Sequence, residues 1–187
     1  MIKTKSDLKE FLFAEMAYRG IKDYLMPQPQ MTFLIMLRNF EYHYNNRNNI
    51  IHKLLSFYYY FRYNKAGIRA GITIPKNTCG KGLTLYHFGS IVLNGNVKIG
   101  DNCCIMNNVN IGATGGSNKC PKIGNDVYIG PGAVIYGDIE IADGCYIGAN
   151  AVVNKSFMEK KSIIVGVPAR VIGYSDKNWW EKNGLNR

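Results

Sequence analysis

A branched aliphatic residue recurs at every sixth position through the second half of the chain. The series comprises Leu93, Ile99, Ile105, Ile111, Ile123, Ile129, Ile135, Ile141, Ile147 and Val153, and it misses only the slot at Ser117. A period of six matches neither the 3.6-residue period of an amphipathic helix nor the alternation of a surface strand. The pattern therefore predicts a stack of short repeats, in which each coil is stable only through its neighbours.

Two other positions of the six-residue unit carry mostly small residues. The position after the aliphatic residue holds Gly100, Gly112, Gly124, Gly130, Ala142 and Gly148, and three places further on come Cys103, Val109, Val127, Ala133, Ile139, Cys145 and Ala151. Tight corners require the first set and a narrow interior requires the second. Each unit thus predicts one short strand and a turn. Three units form a triangular coil whose strands pair with neighbouring coils at about 4.8 Å.

The repeat has two irregularities. Thr73, Cys79, Leu85 and Ile91 are spaced by six, but Ile91 lies eight residues before Ile99, so we expect a two-residue insertion at 94–96. The segment 112–121 interrupts the pattern while keeping its length. We predict that the stack covers residues 70–173 and that a tail, 174–187, contains Trp179 and Trp180 in a short helix.

Residues 1–69 show no six-residue period and contain most of the tyrosines. Helix-like segments at 6–19, 30–45 and 48–65 are separated by stop signals that include Gly20 and Gly67. We predict a helical cap on one end of the stack, because an open coil end exposes unpaired backbone groups and apolar side chains.

Composition limits the function classes. No apolar stretch reaches the ~20 residues of a membrane span and no signal peptide is recognisable, so we expect a cytoplasmic protein. The net charge is +10, but the basic residues are spread along the chain and no nucleic-acid motif occurs, so we expect no nucleic-acid partner. A membrane-surface contact by the aromatic, basic segment 57–63 is a weaker alternative to a helix buried against the stack.

Few residues of the stack offer chemistry. Cys79, Cys103 and Cys145 fall on repeat positions and are predicted to be small core residues, whereas Cys104 has no assigned role. His87 is the only histidine within the stack, and by itself it is equally compatible with a structural turn and a functional site. A carbonic-anhydrase type of zinc site would need three histidines there, so we expect no metal.

A family resemblance favours the functional interpretation of His87. Segments 86–92, 111–116, 121–124, 147–153 and 166–170 resemble landmarks of the serine O-acetyltransferase branch of the hexapeptide-repeat acyltransferases. The resemblance implies a mainly β fold, a left-handed parallel β-helix with an N-terminal α-helical cap. It also implies acetyl-CoA as acetyl donor and His87 as general base, because imidazole can accept the proton of an attacking alcohol.

The chain departs from that branch where the acceptor binds. Carboxylates of true serine acetyltransferases would fall at Ile72 and Tyr86, and an Arg-His pair would fall at Lys119 and Cys120. We assign Tyr86, Lys119 and Cys120 to acceptor binding. A site without carboxylates has little to hold the ammonium group of an amino acid, so we expect a sugar or glycan hydroxyl as acceptor. Serine acetylation is the alternative, and a non-enzymatic scaffold is the second.

Without a carboxylate at position 72, His87 needs another group to orient its ring. Asn107, Asn108, a backbone carbonyl or a residue of a neighbouring subunit remain open as candidates.

The resemblance also implies a cofactor groove between adjacent subunits of a homotrimer. Gly130 and Ala149 match positions where small side chains let the amide-rich arm of CoA approach the backbone, and Thr114 would lie near the thioester. Lys155 and Arg170 match basic residues near the nucleotide phosphates. Tight corners alone also explain the two small residues, and a solvated surface explains the two basic ones.

Overall fold

Three helices precede fourteen short strands in the residues that the computed structural model describes, which are 1–17 and 27–184. The helices are α1 (Lys5–Met16), α2 (Pro29–Asn45) and α3 (Ile50–Ala70). The strands are β1 (Ile72–Thr73), β2 (Thr84–Leu85), β3 (Ile91–Leu93), β4 (Lys98–Ile99), β5 (Cys104–Ile105), β6 (Val109–Gly112), β7 (Lys122–Ile123), β8 (Tyr128–Ile129), β9 (Val134–Tyr136), β10 (Glu140–Ile141), β11 (Tyr146–Ile147), β12 (Val152–Val153), β13 (Ser162–Val165) and β14 (Arg170–Tyr174). A short helix, α4 (Trp179–Lys182), follows.

The strands form the three faces of a parallel β-helix. Sheet A has the order β1-β3-β6-β9-β12, sheet B the order β4-β7-β10, and sheet C the order β2-β5-β8-β11-β13-β14. All pairings are parallel except that of β13 with β14, a hairpin that closes the last coil. Every aliphatic residue of the six-residue series lies in a strand and is buried, which confirms the predicted stack.

The interrupted unit is an insertion at a corner and does not form a side of a coil. Ile123 pairs with Ile141, 18 residues further on, whereas Ile105 pairs with Ile129, 24 residues further on. One coil is therefore six residues longer than its neighbour, and the surplus lies at 113–121, between sheets A and B. The expectation that this segment occupies one slot of the repeat is wrong, because its residues leave the stack.

The two-residue insertion lies earlier than predicted. Leu85 and Ile91 are six residues apart, but their partners in the next coil, Ile105 and Val109, are only four apart. The surplus residues therefore lie within 86–90, at the corner between sheets C and A, and the expected position at 94–96 is wrong. The error came from counting Ile91 in the ladder series, because Ile91 pairs with Val109 whereas Leu93 pairs with the ladder residue Ile111.

The corners explain the small residues of the repeat. A Cβ atom at Gly100 would lie 2.8 Å from the backbone of Gly124 in the next coil, and one at Gly130 would lie 2.8 Å from the backbone nitrogen of Ala149. Such contacts are too short for any side chain. Backbone thus packs directly on backbone where the coils turn.

Helix α2 covers the open end of the first coil. Arg38 donates hydrogen bonds from Nη1 to the carbonyl of Cys79 (3.0 Å) and from Nη2 to that of Gly80 (2.6 Å). Phe33 and Leu37 are fully buried in the same apolar cluster as the ladder residues. The cap therefore supplies both polar and apolar partners that a preceding coil would otherwise provide.

The observed helix bounds differ from the predicted ones mainly at α3. This helix continues through Gly67, which we expected to end it, and ends at Gly71, whose φ is 69°. Gly67 has another role, since a Cβ there would lie 2.7 Å from the carbonyl of Ile72. The residue therefore lets α3 pack closely on β1. The predicted end of the first helix at residue 19 and the stop at Gly20 lie outside the described residues.

The C-terminal tail folds back over sheet C. Trp179 is almost fully buried, and its indole nitrogen donates to the carbonyl of Asn102 at 2.8 Å. The predicted short helix is confirmed as α4. Among the described residues, no helix has the length and apolar character needed to cross a bilayer.

Candidate active site

His87 lies in the corner that the two-residue insertion lengthens. The cap and the first coil fix the backbone of this corner, because Gly89 donates to the carbonyl of Ala70 (2.8 Å) and Gln30 donates to the carbonyl of Tyr86 (3.2 Å). The imidazole itself is exposed. The lengthened corner thus carries His87 at the surface of the protein.

A pocket of about 360 Å³ adjoins His87 on the outer face of sheet C. Its lining consists of Tyr86, His87, Met106, Tyr128, Tyr146, Trp179, Lys182 and Asn183. The rings of Tyr128 and Tyr146 lie 6.1 Å apart, and the ammonium of Lys182 lies 4.4 Å from the Tyr146 ring centre. The pocket thus combines aromatic surface, one cation and one imidazole, which suits a small polar substrate.

Burial raises the pKa of both Tyr128 and Tyr146, so that both hydroxyls are protonated near neutral pH. The Tyr146 hydroxyl donates to the carbonyl of Lys177 at 2.8 Å. This bond attaches the segment before α4 to sheet C. The tail therefore forms one wall of the pocket.

The described residues hold no hydrogen-bond partner for the His87 ring. Ile72, at the position where a carboxylate would be expected, is buried in the apolar core. Asn107 lies directly beside the corner, with its Cβ 3.5 Å from the position of a Cβ at Gly89, but no hydrogen bond joins it or Asn108 to the imidazole in this part of the chain. The predicted orienting bond from Asn107 or Asn108 is therefore not formed in this structure.

The predicted site residues divide between the two edges that border sheet A. We call the corners between sheets C and A the histidine edge and those between sheets A and B the loop edge. The histidine edge carries Tyr86, His87, Gly130 and Ala149, with Arg170 just after the closing turn, and the loop edge carries Thr114, Lys119, Cys120 and Lys155. One protomer therefore brings the two groups to opposite sides of a sheet and does not join them in one site.

The loop edge shows how each of its residues is held. Lys119 forms an exposed ion pair with Asp138 at 2.7 Å, and Thr114 lies near Gly137. The Lys155 ammonium lies 5.5 Å from the Phe157 ring centre. Cys120 is only 7% exposed and packs in the apolar core, and burial raises the pKa of its thiol. Within the protomer, Lys119 and Lys155 are available to a ligand and the Cys120 thiol is not.

The remaining cysteines are structural. Cys79, Cys103 and Cys145 lie in the core cluster, as predicted. Cys104, which had no assigned role, points outward on sheet C yet has no exposed surface, because the returning tail covers that face. No cluster of three or more metal-binding side chains occurs in the ranges 1–17 and 27–184.

Sequence reasoning missed the aromatic lining of the pocket. Tyr128 and Tyr146 occupy the same outward position in successive coils and pair directly in sheet C. That outward register was readable once the ladder was known, since alternate residues of a strand face opposite sides. The contributions of Trp179 and Lys182 were not readable, because only the folded tail brings them there.

Comparisons with known proteins identify relatives that are similar to this chain in sequence and in fold. The family model described as bacterial transferase hexapeptide (six repeats) matches residues 120–155. Over this segment the chain is similar to the hexapeptide-repeat transferases. Serine acetyltransferase from Mycobacterium tuberculosis is 36% identical over 111 residues, which cover 58% of this chain and 48% of that protein. The chain thus spans about half the length of this curated relative.

Solved structures give the same result for the fold. Serine acetyltransferase from Neisseria gonorrhoeae has a TM-score of 0.75 at 25% identity, covering 98% of this chain and 73% of that one. The Brucella abortus enzyme in complex with coenzyme A has a TM-score of 0.73 at 26% identity, covering 91% and 68%. The coil is left-handed, as the family resemblance implied.

These comparisons correct the expected acceptor. The relative and the solved structures named above are serine acetyltransferases, whereas we expected a sugar or glycan hydroxyl as acceptor. That expectation is wrong, and the serine alternative is the better supported one. The inference failed because it rested on four substituted positions, and the absence of carboxylates at them does not identify the acceptor.

Proposed function

We propose that this protein transfers the acetyl group of acetyl-CoA to the hydroxyl of L-serine, with His87 as general base. The observation that carries the proposal is the exposed His87 imidazole beside the aromatic pocket, in a chain whose relatives are serine acetyltransferases. The neighbouring Lys182 and the tyrosine rings supply binding groups for a small zwitterion.

The proposed chemistry needs one base. His87 accepts the proton of the serine hydroxyl while that oxygen attacks the thioester carbonyl, and it returns the proton to the sulfur of the departing CoA. In its neutral form an imidazole ring has one nitrogen that can accept this proton. The reaction balances without a metal or a covalent enzyme intermediate.

The pocket offers an alternative to the missing carboxylates. Lys182 can pair with the serine carboxylate, and the faces of Tyr128 and Tyr146 can attract its ammonium group through their negative ring surfaces. Tyr86 adds a hydroxyl where an acidic side chain would otherwise lie. We therefore propose that aromatic rings replace carboxylates as the binding partners of the amino group.

Acetyl-CoA is proposed to lie between two subunits of a homotrimer. Gly130, Ala149 and Arg170 would contribute from the histidine edge of one subunit, and Thr114 and Lys155 from the loop edge of its neighbour. Ala149 and Arg170 are exposed and so accessible to a ligand, whereas Gly130 is buried and its missing side chain makes room for Ala149 of the next coil. Sedimentation equilibrium is expected to give three times the 21.1 kDa of the chain. A fully active monomer would contradict the shared site.

The central experiment measures thiol release from acetyl-CoA in the presence of L-serine. We expect His87→Ala to lower kcat by about 10²- to 10⁴-fold, the usual contribution of a general base. His52→Ala, the same substitution in the cap, serves as the matched control and should retain the rate. Full activity of the His87→Ala enzyme, or no turnover of serine by the folded wild type, would overturn the proposal.

A further inference from the structure

Helix α3 exposes a continuous apolar stripe. Ile50, Leu54, Phe57, Phe61 and Ile68 follow one another at intervals of four, three, four and seven residues, and their side chains are 55–84% exposed. These intervals place all five on one side of a helix. We call this surface the outer face of α3, and it is about 27 Å long at 1.5 Å per residue.

The opposite side of the same helix already has its partners. The ring of Tyr59 stacks on His43 at 5.2 Å, the hydroxyl of Tyr63 donates to the carbonyl of Ile74 at 2.9 Å, and Ala66 is buried. Packing against the cap and the stack therefore explains only half of the aromatic segment 57–63. The outer face needs a separate explanation, because monomeric proteins rarely expose so many large apolar side chains together.

Basic residues border the outer face on both sides. Lys53 lies along one border, and Arg62, Lys65 and Arg69 lie along the other, where they converge on a cavity of about 480 Å³ between α2 and α3. Helix α3 has no acidic residue. The whole stretch 42–100 contains eight lysines and arginines and no aspartate or glutamate. No acidic side chain of this stretch therefore offsets the positive charges that border the stripe.

We propose that the outer face of α3 binds the surface of an anionic phospholipid bilayer. The stripe would lie flat at the boundary between headgroups and acyl chains, with the four cations among the lipid phosphates. A second copy of α3 is the less suitable partner, because it would bring a second set of the same positive charges against the first. The helix does not have the apolar character of a membrane span, which agrees with an interfacial position.

Flotation with lipid vesicles tests this surface independently of acetyl transfer. The wild-type protein is expected to float with vesicles of equal parts phosphatidylcholine and phosphatidylglycerol and not with phosphatidylcholine alone. Phe57→Ser/Phe61→Ser should weaken binding at least about tenfold, because the wild-type protein transfers both phenyl rings from water into the bilayer and the variant does not. The matched control, Met158→Ser/Ile172→Ser, replaces two exposed apolar residues elsewhere and should bind as the wild type does.

Added salt should also weaken binding, because the headgroup contacts of Lys53, Arg62, Lys65 and Arg69 are screened. Far-UV circular dichroism verifies that each variant is folded. The proposal fails if the wild type binds neither kind of vesicle or binds both equally. It also fails if the Phe57→Ser/Phe61→Ser variant binds as well as the wild type. It fails too if that double substitution lowers the molecular mass in sedimentation equilibrium, since the face would then join copies of the protein.

Discussion

The coils and the cap bury opposite kinds of residue. The interior of the coils consists of aliphatic ladders, whereas the cap buries Arg38, Glu15 and Glu41 and leaves an apolar stripe on its surface. Within the coils, each strand finds its hydrogen-bond partners in the coils before and after it. The first coil has no coil before it, so its carbonyl groups need donors from elsewhere. A polar interior in the cap is thus the consequence of ending a stack.

The charged cluster of the cap is crowded. The Arg38 guanidinium contacts Glu15 at 2.6 Å and Glu41 at 2.8 Å, and the Glu15 and Arg38 side chains have no exposed surface. Burial raises the pKa of Glu15 to about 7, and among the described residues its Oε2 atom has no hydrogen-bond partner. Buried ion pairs contribute little net stability, because desolvation offsets their attraction. The cluster therefore positions the cap on the first coil more than it stabilises the fold.

The largest expected effect follows from removing the central cation. Arg38→Met leaves two carboxyls and the carbonyls of Cys79 and Gly80 without their donor, and we expect unfolding to become easier by about 3–5 kcal/mol. Urea denaturation measures this change. Arg62→Met, at an exposed position of α3, is the matched control and should change stability by less than about 0.5 kcal/mol. A loss below about 1 kcal/mol for Arg38→Met would show that the cap does not depend on this cluster.

A ladder residue provides the apolar counterpart. Ile129 is fully buried between Ile105 and Ile147 in sheet C. We expect Ile129→Ala to cost about 2–5 kcal/mol, because it leaves a cavity, and Ile129→Val to cost about 0.5–1.5 kcal/mol. Both losses should be the same at pH 5 and pH 8, since no charge is involved. Equal losses for the two substitutions would contradict a close-packed ladder.

The smallest expected effect is a change of folding stability with pH, and it arises from a residue of the cap. The pKa of Glu15 is about 7 in the folded protein, above the value of about 4.3 in an unfolded chain, so the folded state holds a proton that the unfolded state has lost. Stability from this group is therefore fully present below pH 4.3 and is lost as the pH rises towards 7. Arg38 and Glu41 are the charged groups that face it.

Glu15→Gln should remove that dependence. Between pH 5 and 7 the free energy of unfolding of the wild type, relative to the variant, is expected to fall by up to about 1.4 kcal/mol per pH unit. Thermal or urea denaturation at several pH values gives the comparison. Parallel pH profiles for the two proteins would mean that Glu15 is ionised throughout.

The sequence predicts the stack well because one structural constraint repeats in it many times. Each ladder position from Leu93 to Val153 reports the same requirement, so single exceptions do not hide the period. Insertions are different, since spacing gives their length and not their place within a coil. The register of the strands was needed to locate them at 86–90 and 113–121.

The candidate site was predictable only in part. His87 was selected from a distinctive local segment and its catalytic role stays a prediction, whereas Lys182 reaches the same pocket from the far end of the chain through the fold of the tail. Cys120 looked available because its loop leaves the repeat, yet its side chain turns back into the core. The acceptor was wrongly predicted for a related reason, since absent carboxylates say nothing about groups that replace them.

The inserted corner at 113–121 has a consequence for how such chains change over time. The backbone nitrogen of Gly137 donates to the carbonyl of Gly112 at 3.1 Å where the loop begins, and that of Lys98 donates to the carbonyl of Pro121 at 3.2 Å where it ends. The neighbouring coils thus hold both ends of the loop, while residues 114–119 between them are exposed. The segment is a place where evolution or an engineer can graft new residues, and try new specificities, while the architecture beneath keeps its form.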